Sequence, residues 1–184
     1  YAIYWSYYHE PEDNIAAGQY TAAEYRAAWA HIANLAAQAD NPYLHATLIL
    51  MAWDLNPASG RNWQDYYPGN AVIQYIAWDA YNPSSASGRG VYDSPSQVFG
   101  SVVAKMRSLG MPWGVAETGS LRAAGDTSGA GRAAWLRSIA EYLQAAGASW
   151  CTLFDSNAGG TYELADTPSI GAWRAATTGQ LPAA

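Results

Sequence analysis

Two glutamates stand where a pair of carboxyl groups could carry out acid–base and nucleophilic chemistry. Glu10 follows His9 at the end of the apolar and aromatic run Ile3 to Tyr8, and Glu117 follows the run Trp113 to Ala116. Both runs are rich in strand-forming residues. Neither alternates with polar residues, the pattern of strands buried on both faces in a parallel sheet. The C-terminal tips of such strands are where α/β folds place their chemistry. Tips of neighbouring parallel strands converge, so residues far apart in sequence meet there. Glycoside hydrolysis needs such a pair, one carboxylic acid to protonate the leaving oxygen and one carboxylate facing the anomeric carbon. A separation of about 5–5.5 Å gives retention of configuration. His9 beside Glu10, Tyr81 and the strand-tip aromatics Trp53 and Phe154 would line the same mouth. Pro11 biases Glu10 toward an extended backbone. Glu12 and Asp13 read as solvated residues in the first turn of a helix.

The elements that must position these residues alternate. Strands are expected at Ile3 to Tyr8, Leu44 to Trp53, Val72 to Trp78, Trp113 to Ala116 and Ser149 to Phe154. Thr21-Ala22-Ala23-Glu24 reads as a capping box. It opens a helix that runs to about Asp40, with Tyr25, Trp29, Ile32 and Ala36 on one face. Ser94-Pro95 starts another, closed by Gly110. Further helices are expected from Arg132 to Ala146 and from Thr167-Pro168 to Ala176, with a short turn at Trp63 to Tyr67 and a loop from Ser84 to Gly90. Strand–helix alternation implies parallel βαβ units with right-handed crossovers. An open doubly wound sheet and part of a (β/α)8 barrel both satisfy it.

Composition excludes several classes. The 184 residues suffice for one domain with a core, and half of them are hydrophobic, which argues against disorder. Net charge is −6, with Lys105 the only lysine, so there is no basic patch for nucleic acid. No apolar run reaches the roughly 18–20 residues of a membrane span. No glycine-rich phosphate loop follows any strand, and no nucleophile elbow of the G-x-S-x-G type is present. His9, His31 and His45 stand apart on different elements, and Cys151 is the only cysteine, so neither a metal centre nor another cofactor is indicated. The nine Trp and fourteen Tyr against two Phe suit stacking on sugar rings as well as core packing.

In order along the chain, these motifs resemble glycoside hydrolase family 26, a family of retaining (β/α)8 glycosidases. His9-Glu10 matches its acid/base motif at barrel strand 4, and Glu117-Thr118-Gly119 matches its nucleophile segment at strand 7. Tyr67-Pro68-Gly69 and Asp79-Ala80-Tyr81 match the segments that lead into and end strand 6, and Trp53-Asp54-Leu55-Asn56 loosely matches the tip of strand 5. The resemblance implies that Glu10 is the general acid/base and Glu117 the nucleophile. It further implies that Tyr81 bonds the nucleophile and that His9 and Asp79 position the sugar. Trp150 stands too early in the last strand for the usual tryptophan platform, and Phe154 takes its place. Pro11-Glu12-Asp13 departs from the glycine- and tryptophan-rich stretch of the family's mannanases, so β-mannan is one candidate among β-linked polysaccharides. The resemblance also implies extracellular secretion. On this mapping residues 1–184 form one glycosidase-like domain, a partial or truncated (β/α)8 TIM-type barrel of five parallel strands without the first three β/α units. Such a sheet has two edges and an open apolar interior. It is expected to self-associate, or to be completed by an N-terminal half. The other function class is an inactive carbohydrate-binding remnant of such a barrel.

Overall fold

A computed structural model describes residues 1–83 and 90–179. Most of the loop expected from Ser84 to Gly90 lies outside them. Five parallel strands, β1 (Ile3–Trp5), β2 (Leu44–Met51), β3 (Tyr75–Tyr81), β4 (Trp113–Gly119) and β5 (Cys151–Leu153), pair in the order β1-β2-β3-β4-β5. Sequential order separates the two candidate architectures. A doubly wound sheet reverses its strand order at a switch point, whereas a barrel wall does not. The sheet is a curled half-barrel with helices on its convex side. They are α1 (Glu12–Ala16), α2 (Ala22–Ala37), α3 (Pro95–Leu109), α4 (Ala130–Ala146) and α5 (Thr167–Thr177).

The core lies between sheet and helices. Leu48 and Leu50 of β2, Ile76 and Trp78 of β3, and Trp113 and Val115 of β4 point outward into it. They meet Trp29 of α2, Phe99, Val102 and Met106 of α3, and Leu136, Ile139 and Leu143 of α4. Each such side chain contributes about 1.5–3 kcal/mol when fully buried. The helix signals act as read. Thr21 and Glu24 form the reciprocal capping box at the start of α2. Pro95 follows the N-cap Ser94, and Gly110 ends α3 in the left-handed conformation. Among the described residues no helix is long and apolar enough to cross a membrane.

Several strand boundaries differ from expectation. β1 ends at Trp5 instead of Tyr8, because Tyr8 turns into the left-handed region at φ +47°. β3 starts at Tyr75 instead of Val72, because the N–H groups of Val72 and Ile73 both donate to the Gly69 carbonyl in a turn. β4 runs on to Gly119 and carries one extra residue. Val115 pairs with Trp78 and Cys151, but Glu117 pairs with Asp79, and Thr118 with Leu153. Both neighbouring strands therefore place a bulge around Ala116, whose carbonyl accepts the Thr152 hydroxyl.

The concave face is filled at its N-terminal end. Trp150 lies against Tyr4, ring centroids 5.1 Å apart, so side chains from the two edges of the sheet meet across the interior. Tyr4 also packs on Tyr75 at 4.9 Å and on His45 at 5.5 Å. The inner face at this end is therefore plugged, where five strands alone were expected to leave it open. The reason is the bare surface of Gly114: a Cβ there would lie 2.4 Å from the indole of Trp150.

Candidate active site

The C-terminal tips of β1, β3 and β4 bring three carboxyl groups together. Glu117 reaches this mouth because of the bulge. Val115 faces the helices, and two residues later along a regular strand Glu117 would face them too. The extra residue turns Glu117 to the concave side beside Asp79. Glu10 arrives from the loop after β1. Its N–H donates to the Ile49 carbonyl at 3.2 Å, which carries the pairing with β2 beyond the end of the strand. Glu10 itself has φ +49°, not the extended backbone expected before Pro11. Tyr8 and Glu10 thus flank His9 with two left-handed non-glycine residues, a conformation that costs of order 1–3 kcal/mol each and persists only under outside support.

The charges of the three carboxyls act on one another. Glu10 is pushed above its ordinary value by burial first and by the charge of Glu117 second. A bond from Asp79 and the charge of His9 pull it back in part. Asp79, only 5% exposed, is pushed up to about 9, chiefly by burial and then by Glu10 and Glu117. Asp79 therefore keeps its proton far above the ordinary carboxylate range, beside Glu10. Burial and like-charge repulsion thus act together to raise Glu10 and Asp79.

Around the cluster, the Tyr81 hydroxyl donates to Oε2 of Glu117, and Nε2 of His9 stands 3.8 Å from its Oε1. Burial and the bond to Glu117 push the Tyr81 phenol up, so it stays a donor. The ring of Tyr81 meets Phe154 edge-on at 5.8 Å and Tyr162 at 5.2 Å, and Phe154 and Tyr162 meet at 5.8 Å. Of the residues singled out in the sequence, the fold brings Glu10, Glu117, Asp79, Tyr81, His9 and Phe154 to one mouth. Trp53 stands at the tip of β2, its surface half exposed, outside this bonded group. Tyr162 was missed. Its only signal was an aromatic residue just after the two glycines that follow the tip of β5. Among the described residues no group of three or more His, Cys, Asp or Glu is arranged to hold a metal ion.

Glu12 also departs from expectation. It is fully buried, not solvated, and its Oε1 accepts the Met51 N–H at 2.7 Å. Asp13 remains exposed and pairs with Arg61.

No protein-family model and no curated protein matches the chain. Solved structures do match in fold. The catalytic domain of the family 26 endo-β-1,4-mannanase of Bacillus sp. JAMB-750 superposes with a TM-score of 0.61 at 14% identity, over 96% of this chain and 50% of that one. The endo-β-1,4-mannanase of Thermotoga petrophila gives 0.58 at 13% identity, over 98% and 44%. A fungal β-1,4-galactanase gives 0.51 at 14% identity, over 73% and 49%. The chain thus shares the barrel-wall fold of these structures and spans about half the length of the structures it matches.

Proposed function

We propose that this chain carries the catalytic wall of a retaining β-glycan hydrolase, with Glu117 as nucleophile and Glu10 as general acid/base. The observation that carries the proposal is the shared mouth of Glu10, Asp79 and Glu117, with the Tyr81 hydroxyl bonded to Glu117. Glu117 attacks the anomeric carbon while Tyr81 fixes its other oxygen. Glu10, whose carboxyl is pushed above its ordinary value by burial and by the charge of Glu117, gives its proton to the leaving oxygen. A glycosyl–Glu117 ester results. Glu10, now a carboxylate, takes a proton from water, which attacks the same carbon, displaces the Glu117 carboxylate and restores the original configuration. His9 and Asp79 bond the hydroxyls of the sugar being cleaved. Phe154, joined by Tyr162, offers an apolar face beneath it. Trp53 provides a stacking surface farther along the polymer. The similar structures are mannanases and a galactanase, which makes β-mannan and β-galactan the first substrates to try.

Release of reducing sugar from a panel of β-linked polysaccharides tests the proposal. It should occur with the wild-type chain, given as it stands or extended upstream by three β/α units, and fall about 10²–10⁴-fold in Glu10→Gln. Binding of these polymers without hydrolysis in either form would leave the chain a carbohydrate-binding remnant and refute the assignment.

A further inference from the structure

Behind Glu10 lies a second pair of carboxyls that the proposed chemistry does not use. Glu12 opens α1 and is fully buried. Its Oε1 takes the Met51 N–H, and its Oε2 is buried without a donor. Beside it, in the 3-10 turn Ala52–Leu55 that follows β2, the Asp54 side chain is wholly buried, and neither of its oxygens has a donor. The nearest cation, Arg61, is 3.8 Å from Asp54 through Nη1 and spends Nη2 on Asp13. Ionised carboxylates only accept hydrogen bonds. With both groups charged, three buried acceptor atoms would have no partner, which native interiors avoid. One proton between them removes the conflict, since the hydroxyl of one carboxylic acid can donate to the other.

We propose that Glu12 and Asp54 share a single proton, and that this acid pair is the latch holding the Glu10 loop on the end of β2. The titration behaviour agrees. Glu12 is pushed up to about 8, first by burial and then, against its backbone bonds, by the charge of Asp54 and a bond to it. Asp54 is pushed up to about 6, chiefly by burial, with the bond to Glu12 and the charge of Arg61 opposing. The groups facing the pair are Glu10 and Asp13 from its own loop and helix, Arg61 and Tyr66 from the segment after β2, and Tyr20 and Tyr25 from the start of α2. Arg61 is the one cation among these.

The latch acts on the site through the backbone. Glu10 donates to Ile49 and Glu12 accepts from Met51, so two successive attachments tie the loop to β2. At the other end of the loop the Tyr8 carbonyl accepts the Tyr25 hydroxyl at 3.0 Å. Between these points Tyr8 and Glu10 hold their left-handed backbone. Glu12 and Asp54 are therefore positioning residues for Glu10. Only the activity arm of the test rests on the catalytic role proposed for Glu10.

The decisive experiment follows the carboxyl carbons of Glu12 and Asp54 by NMR through a pH titration of the full chain, in wild type, Glu12→Gln and Glu12→Ala. In wild type the Glu12 step should lie well above the ordinary carboxylate range, and the Met51 amide signal should move with it. Glu12→Gln keeps both bonds, accepting from Met51 and donating to Asp54, without a proton to lose. It should keep the Glu10 amide protected from exchange at alkaline pH, whereas Glu12→Ala should expose it at every pH. On a cleaved β-glycan, Glu12→Ala should lower kcat by about 10²-fold, as displacement of a reacting group does. Glu12→Gln should retain activity and shift the alkaline limb upward. Ordinary titration of both carboxyls, or identical behaviour of the Gln and Ala variants, would overturn the latch. Absence of turnover in wild type would count against the hydrolase assignment instead and leave the titration to decide the latch.

Discussion

Substituting Gly114 tests how five strands hold their curl. In an ordinary strand, Gly→Ala at a compatible backbone stabilises by about 0.4–1 kcal/mol, because it restricts the unfolded chain. Here the new Cβ would lie 2.4, 2.6 and 2.8 Å from Cε2, Cδ2 and Nε1 of Trp150, all below the closest approach real side chains make. The indole cannot simply tilt away, since its inner side rests on Tyr4, which in turn rests on Tyr75 and His45. Overpacking of this kind costs about 1–3 kcal/mol, and three simultaneous clashes place Gly114→Ala in the upper half of that range. For a chain of this length each kcal/mol lowers Tm by about 2–4 °C, so a fall of about 4–12 °C is expected in a thermal melt. Trp150→Leu removes the clash, and adding Gly114→Ala to it should then cost nothing. The cycle should thus show a coupling of about 2–3 kcal/mol. A Gly114→Ala chain as stable as wild type would refute the argument. So would an equal penalty in the Trp150→Leu background, since the plug would then not be what joins the two edges of the sheet.

Three further outcomes are expected. Tyr81→Phe keeps the ring contacts with Phe154 and Tyr162 but removes the donor to Glu117. It should lower kcat/KM by about 10–100-fold, the equivalent of the roughly 1.5–3 kcal/mol of a bond to a charged group, with little change in the melt. Stability should fall as pH rises from about 4.5 toward 8. The native chain keeps the Glu12 proton over that range and the unfolded chain does not, so stability declines by up to about 1.4 kcal/mol per pH unit. Asp79, pushed up to about 9, acts in the same direction and extends the decline, which urea unfolding at a series of pH values would record. Trp53→Ala should leave stability within about 0.5 kcal/mol, as exposed positions do, while weakening retention of the chain on an immobilised β-glycan.

The alternation of strands and helices, the capping of α2 and α3, and the carboxyls at strand tips were legible because each rests on local chemistry: apolar runs, a Thr–Glu box, a Ser-Pro start, a polar residue where a run ends. What stayed hidden depends on partners distant in sequence. Nothing in Val115-Ala116-Glu117 announces a bulge, since its register is set jointly by β3 and β5. Glu12 reads as a solvated first-turn residue until Met51 and Asp54 close over it. The extended backbone that Pro11 favours for Glu10 loses to attachments made by β2. Trp150, too early in its strand to serve as a sugar platform, plugs the concave face because Gly114, 36 residues away, leaves room for its ring. The likeness to family 26 was carried by motifs in order, and at the level of fold the superposed mannanases agree with it.

The central claim is that Glu117 attacks the anomeric carbon with Glu10 as its acid. The most direct measurement is trapping with an activated 2-deoxy-2-fluoro-β-glycoside of the sugar whose polymer the chain cleaves, followed by mass spectrometry and peptide mapping. The fluorine slows both steps, while the good leaving group lets the first proceed, so a covalent glycosyl ester should accumulate. The account predicts one label per chain, on Glu117, lost in Glu117→Gln and still formed in Glu10→Gln, where the activated leaving group needs no acid. A label on Glu10 or Asp79, or hydrolysis that proceeds with inversion and leaves no label, would contradict it.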